Sequence, residues 1–279
     1  MRPRSELWRK SSDLAVRISS GAAALFGIFM LGWVLLMVLK RGGGAINWDL
    51  FFHAVTPPGT EGGGVGNAIV GSAILVSLSI VIGVPVGLLA GVYLSEFARN
   101  SRIGAFVRFS TNVMMGIPSI IVGLFVYTIM VVTTRTFSGW AGAVALAILM
   151  LPVISRTTDD MLSLVPNALR ESALALGAPR WKVTMGIVFR AARSGLLTGI
   201  LLAVARVSGE TAPLLFTCLN SPYWPKSLNT PMANLPVTIY NCAMSPYADW
   251  QRLAWGASFL ITMGVLTLTI GARLGFRKR

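Results

Sequence analysis

Six stretches of this chain are long and apolar enough to cross a bilayer, which removes most of the folds otherwise open to 279 residues. A spanning helix needs about 20 mostly apolar residues to traverse roughly 30 Å of hydrocarbon. The candidates are Ser20 to Leu39, Asn67 to Leu94, Asn112 to Val132, Gly139 to Ser155, Ser194 to Phe216 and Leu253 to Ala272. With 54% hydrophobic and 12% charged residues, the chain is too apolar for a soluble domain of this size. The reading is an all-α integral membrane protein with six transmembrane helices. Gly21 to Leu39 exceeds the apolar core of a secretion signal and is read as a retained first span.

The net charge of +14 is mostly topological. One set of flanks carries Arg2, Arg4, Arg9, Lys10, Arg17, Arg99, Arg102, Arg108, Arg156, Arg170, Arg180, Lys182, Arg190, Arg193, Arg273, Arg277, Lys278 and Arg279. The other holds only Lys40, Arg41, Arg135, Lys226 and Arg252. Lysine and arginine accumulate on the cytoplasmic side, so both termini and the loop around Gly177 are expected there. Charge spread between spans does not form the single patch a nucleic acid would require. Cys218 and Cys242 fall on the outer side, where a disulfide is permitted; two free thiols are the favoured reading.

Three places break the apolar pattern. In the second span Gly83, Gly87 and Gly91 repeat every fourth residue and line one face for close helix approach. Pro85 is expected to bend that helix, as a hinge or as part of the packing. In the third span Gly116 and Pro118, within GIPSIIVG, imply a helix break, tolerated where backbone is buried in protein or lines a wet cavity. In the fifth span Arg206, Glu210 and Pro213 stand at i, i+4 and i+7, which on one continuous helix is a single face. An intramembrane arginine costs at least about 2.5 kcal/mol on the mildest insertion scale, so the pair is either a functional site or structural glue.

Between the fourth and fifth spans lies a polar, basic loop. Ser163 to Leu176 reads as a short helix, with Pro166 in its first turn and Leu169, Ala173 and Leu176 on one face. Gly177 ends it, and Pro179 starts a second helix. The outer segments Gly42 to Gly66 and Thr217 to Trp250 are rich in Gly, Pro, Asn and aromatic residues; the second is long enough to meet a partner. His53 is the only histidine and has no ligand cluster at metal spacing. No Walker-type GxxxxGK[ST], HExxH or nucleophile elbow occurs, so no hydrolytic chemistry is expected of this chain.

The loop is similar to the cytoplasmic signature of importer-type ABC permeases: EAA, three residues, G, nine residues, I, one residue, LP. Glu171, Ser172, Ala173, Gly177 and Ile187 stand at those spacings, with Phe189 and Arg190 in place of the final Leu-Pro. The stretch Arg206, Val207, Ser208, Gly209, Glu210, Thr211, Ala212, Pro213, Leu214 resembles the RxxGETAPL segment of the PstA family of phosphate-importer permeases, whose companion PstC family typically has GETM. Gly116 to Gly123 and the LPVTIY run from Leu235 to Tyr240 resemble further segments of that family.

The resemblance implies a MetI-like (type I importer) permease fold over residues 66–273, preceded by a cytoplasmic N-terminus, first helix and outer segment over 1–65 and followed by a basic tail over 274–279. It implies a transport subunit for inorganic phosphate in a bacterial or archaeal inner membrane. It also implies a PstC-like second permease, two copies of a cytoplasmic ATPase subunit that holds ATP and magnesium, and a periplasmic or extracellular phosphate-binding protein. Arg206, Ser208, Gly209, Glu210 and Thr211 would line the substrate pathway. Glu171, Ser172, Ala173, Gly177 and Ile187 would couple to the ATPase; Gly116, Pro118 and Pro213 mark helix breaks. Two other readings stay open: a permease for sulfate or molybdate, and a proton-coupled carrier with Glu210 as its proton site.

Overall fold

The computed structural model describes residues 6–60 and 62–277. Arg2, Arg4, Lys278 and Arg279, which enter the charge argument, lie outside the described residues. In chain order the helices are α1 (Glu6–Met37), α2 (Trp48–Phe52), α3 (Gly66–Val92), α4 (Arg102–Gly116), α5 (Ser119–Val126), α6 (Val132–Thr134), α7 (Gly139–Ser163), α8 (Asn167–Ala175), α9 (Arg180–Val183), α10 (Phe189–Ser208), α11 (Ala212–Thr217), α12 (Leu235–Ala243) and α13 (Ala248–Arg277). Wide helical turns prolong α1 to Gly42 and α3 to Phe97, and join α5 to α6 and α9 to α10.

Five helical runs are long and apolar enough to span a membrane, and α4 with α5–α6 forms a sixth, bent by 102°. The bend falls at Ile117 and Pro118, where the backbone turns extended and Pro118 becomes the N-cap of α5. The expected break at Gly116 and Pro118 is therefore present, but it is sharp enough that 112–132 is no straight rod. Pro85, by contrast, lies inside α3 without ending it. The fourth span runs eight residues past the expected Ser155, to Ser163, and α13 continues through Arg277, into the segment expected as a tail.

The core is built around α7. Leu146, Met150 and Ile154 project from it into one cluster with Leu75 of α3, Val204 and Val207 of α10, and Leu214 of α11. Such burial needs close backbone approach, and the glycine row supplies it: Gly83, Gly87 and Gly91 are all buried. A methyl group added at Gly87 would lie 2.9 Å from Ile154 Cβ, and one at Gly91 would lie 2.4 Å from Thr158 Cβ. A side chain at either position would force α3 and α7 apart.

At the end of the bundle away from the Gly177 loop, polar side chains tie the Pro-rich loop down onto α3. Asn67 Nδ2 donates to Ser221 O at 3.1 Å, Leu235 N donates to Ser72 Oγ at 2.7 Å, and Asn234 caps α12 by accepting from Val237 N at 3.0 Å. Cys218 and Cys242 are both buried and free, which settles the choice between thiols and disulfide. The N-terminal helix α1 lies outside this body; it is anchored at its far end, where Gly42 packs against Trp255 and Phe259 of α13.

Overpacking a close-packed site costs on the order of 1–3 kcal/mol. The yield of monodisperse protein in mild detergent is expected to fall severalfold for Gly87→Leu and to stay unchanged for Gly21→Leu, whose Cβ meets open space. Equal yields would show that the row does not hold α3 against α7.

Candidate functional site

Gly209 and Pro213 divide the fifth span. Proline cannot donate to a preceding turn but fits the first turn of a new helix. Accordingly α10 ends at Ser208, Gly209 to Thr211 form a turn, and α11 opens with Pro213 in its first two positions. The peptide N–H groups of Gly209 and Glu210 are satisfied within the turn by Arg206 O at 3.3 Å and Val207 O at 3.2 Å. This corrects the continuous helix expected over 194–216: Arg206, Glu210 and Pro213 do not share one helical face.

The Arg206–Glu210 pair survives the break, but loosely. Arg206 Nε lies 3.9 Å from Glu210 Oε1, and the side chains are 45% and 17% exposed. That distance is too long for the forked hydrogen bonds an arginine makes to a carboxylate. Among the described residues the guanidinium makes no hydrogen bond, so its donors are free for another oxyanion. Ser208 Oγ donates back to Val204 O at 2.7 Å, and Ser208 edges an apolar cavity of about 340 Å³ between α3, α10, α12 and α13. Thr211 is the N-cap of α11, but its side chain makes no capping bond.

The two broken spans meet. A methyl group on Gly123 of α5 would fall 2.5 Å from Pro213 Cα, so α5 and α11 touch backbone to backbone. Gly116 and Pro118 lie at the far end of α5 and do not enter this contact; a Cβ on Gly116 would meet nothing. The GIPSIIVG stretch thus acts through its last glycine, while its Gly-Pro step sets the 102° turn that brings α5 there.

The cytoplasmic-type loop differs from its sequence reading in two details. The helix expected over 163–176 is two pieces: α7 ends at Ser163, and α8 starts at Asn167 with Pro166 as its N-cap instead of in its first turn. Proline excludes the residue before it from the α region, which explains the interruption. Of the face expected on Leu169, Ala173 and Leu176, only Ala173 is buried; Leu176 is 88% exposed. Glu171 and Ser172 also face outward. Gly177 has φ +81°, as its role requires. Its N–H donates to Leu174 O at 2.9 Å and that of Ala178 to Ala173 O at 3.2 Å, the paired bonds of a glycine-terminated helix. Ile187 packs partly buried against Val183 and Val188.

Beyond Pro179 the second helix does not stop before the membrane. From Arg180 to Ser208 it is one run of 29 residues, about 43 Å at 1.5 Å per residue, so the loop and the Arg206 turn are two ends of one rod.

Two buried ion pairs escaped the sequence reading. Arg108 on α4 forks onto Asp159 of α7 at 2.7 and 3.2 Å and also donates to Leu94 O at 2.7 Å. Arg170 on α8 reaches Glu96 at 2.8 Å and Leu162 O at 2.7 Å. The only hint was an acidic residue inside or beside an apolar stretch, since the partners lie 51 and 74 residues apart.

A family profile described as binding-protein-dependent transport system inner membrane component matches residues 83–277. The chain belongs to this family. Its relatives include a phosphate transport system permease protein PstA of Yersinia pestis, 49% identical over 100% of this chain and 94% of that protein. The PstA of Haemophilus influenzae is 49% identical over 98% of this chain and 96% of its own length. A protein of Methanocaldococcus jannaschii named probable PstA is 36% identical over 92% of this chain and 91% of its own length. Among solved structures, an inward-facing MetNI methionine ABC transporter chain superposes with a TM-score of 0.61 at 19% identity, covering 76% of this chain and 92% of that chain. The fold is thus the MetI-like permease fold expected from the resemblance, and the protein is a multi-pass membrane permease of this family.

The left-handed turn at Gly177 can be tested without transport. A β-branched residue there costs roughly 1–2 kcal/mol of backbone strain, whereas asparagine tolerates the conformation. Trypsin is expected to cut after Arg180 and Lys182 faster in Gly177→Val than in wild type, with Gly177→Asn close to wild type. Indistinguishable cleavage in all three would remove the turn's role.

Proposed function

We propose that this chain is the transmembrane permease subunit of an ATP-driven importer of inorganic phosphate in a bacterial or archaeal inner membrane. The observation that carries the mechanism is the loose Arg206–Glu210 pair, a charged group with free donors at the break between α10 and α11. With the pathway empty, Glu210 offsets part of the cost of holding a guanidinium within the span; an arriving phosphate takes the carboxylate's place through bidentate hydrogen bonds. Glu210 then needs a proton donor. Phosphate keeps a proton at neutral pH and supplies one, whereas fully ionised sulfate presents only acceptors and leaves Glu210 unpaired. Arg206 holds the anion, Glu210 sorts it, and Ser208, Gly209 and Thr211 shape the turn that places both.

The chain does not hydrolyse ATP in this reading. ATP and magnesium are held by two cytoplasmic ATPase subunits, a PstC-like permease completes the membrane pathway, and an outer phosphate-binding protein delivers the cargo. Both termini and the Gly177 loop face the cytoplasm, in keeping with the arginine-rich flanks. The loop's outer surface suits a protein partner: Leu164, Leu169, Leu174, Leu176, Trp181 and Met185 are all exposed there, an apolar patch beyond what water tolerates without a role. Displacement of that surface is carried to Arg206 by the rod from Arg180 to Ser208.

Uptake of labelled phosphate into vesicles holding the complete importer tests the site. Arg206→Gln should abolish uptake while the ATPase still co-purifies. Glu210→Gln should retain part of the uptake and let sulfate compete, with arsenate competing in wild type and variant alike. Near-normal uptake in Arg206→Gln would reduce the pair to structural glue, and unaltered sulfate exclusion in Glu210→Gln would remove its sorting role.

A further inference from the structure

The two limbs of the loop are held in different ways, although both pack on the end of α7. The second limb, beyond Pro179, is the start of the rod to Ser208. The first limb, α8, is held by Arg170, whose side chain is 13% exposed and donates to a carboxylate and to two backbone carbonyls at once. Its Nε and Nη2 donate to the Glu96 carboxylate at 3.2 and 2.8 Å. Nη2 also donates to Leu162 O at 2.7 Å, and Nη1 to Val165 O. Glu96 ends the extension of α3 and is itself 11% exposed, while Leu162 and Val165 stand at the end of α7. One guanidinium thus joins α8 to the end of α3 through Glu96 and to the end of α7 through the Leu162 carbonyl, which also accepts from Val165 N at 3.2 Å.

We propose that Arg170 and Glu96 are positioning residues for energy coupling: they clamp α8 to the α3–α7 pair, so that a partner's push on the loop moves the rod against a fixed support. The inference rests on the proposed transport function. Three features argue for it. The pair is buried where the loop surface around it is exposed, so it is shielded from competing water and salt. Gly177, between the limbs, is the point where the helix stops and direction changes. A cavity of about 220 Å³ lined by Glu96, Phe97, Arg170, Leu174, Arg180 and Thr184 opens between the limbs beside the ion pair, so that they touch mainly through Ala173 and the rod's Val183 and Val188. Lysine could not replace Arg170, because a single ammonium cannot span a carboxylate and two carbonyls in a fixed fork.

The test uses the complete importer in vesicles, with Glu96→Gln, Glu96→Asp and Arg170→Lys. Phosphate moved per ATP hydrolysed should fall about tenfold in Glu96→Gln and Arg170→Lys, a size usual for coupling between distant sites, and recover in part with Glu96→Asp. A second readout does not depend on the cargo: a thiol reporter introduced by Ala205→Cys should change its labelling rate with ATP in the otherwise wild-type complex, and lose that response on adding Glu96→Gln. Wild-type phosphate-to-ATP ratios in assembled variants would overturn the proposal. So would loss of assembly in Glu96→Gln and Glu96→Asp alike, which would assign the pair to folding. If the unaltered importer shows the ATP-dependent labelling but takes up no phosphate, the substrate reading fails and the labelling comparison alone decides the clamp.

Discussion

The contact of α3 with α7 is the constraint on which the rest depends. Lipid gives helices no hydrophobic reason to associate, so they hold together through packing and close backbone approach. Gly83, Gly87 and Gly91 permit that approach, and α7 can then bury Leu146, Met150 and Ile154 against α3, α10 and α11 together. Everything with functional chemistry is mounted on this pair: α5 and α11 on one side, the loop at its cytoplasmic-type end, the outer loop at the other. A looser seam would shift all three mounts at once.

A second theme is how helix ends are satisfied inside a largely apolar body. Each interruption frees peptide groups that cannot be left bare in hydrocarbon. The turn at Gly209 and Glu210 satisfies its own N–H groups with backbone carbonyls, and the Arg206 guanidinium, a donor only, takes no part in it. The ends of α3 and α7 are instead filled by side chains, Arg108 on Leu94 O and Arg170 on Leu162 O. Arginine serves in all three places but with opposite outcomes. Where a buried carboxylate and carbonyls meet it at hydrogen-bonding distance it clamps; where the carboxylate stands off at 3.9 Å it remains available to an anion.

The two limbs of the loop are built differently. The second limb of the loop has no helix break until Gly209, so motion at Arg180 need not be relayed through side-chain contacts to reach Arg206. The first limb is interrupted twice, at 164–166 and at Gly177, and without its buried ion pair it would have little holding it to the core beyond Ala173.

Local chemistry made several features legible in the sequence. Six apolar stretches fixed the class, because length and hydropathy are properties of the segment alone. The glycine row, the left-handed stop at Gly177 and the break at Pro118 were readable for a similar reason: each follows from what a single residue's backbone can adopt or allow near it. The tertiary structure decided where breaks became bends and which charges met. Pro213 could have kinked a continuous span or opened a new helix; in the folded chain it opens α11, with its backbone against Gly123 of α5. Glu96 with Arg170, and Asp159 with Arg108, lie too far apart in the chain for any spacing rule to pair them. Burial and folding brought them together, since a charge removed from water must find its partner wherever the helices place one.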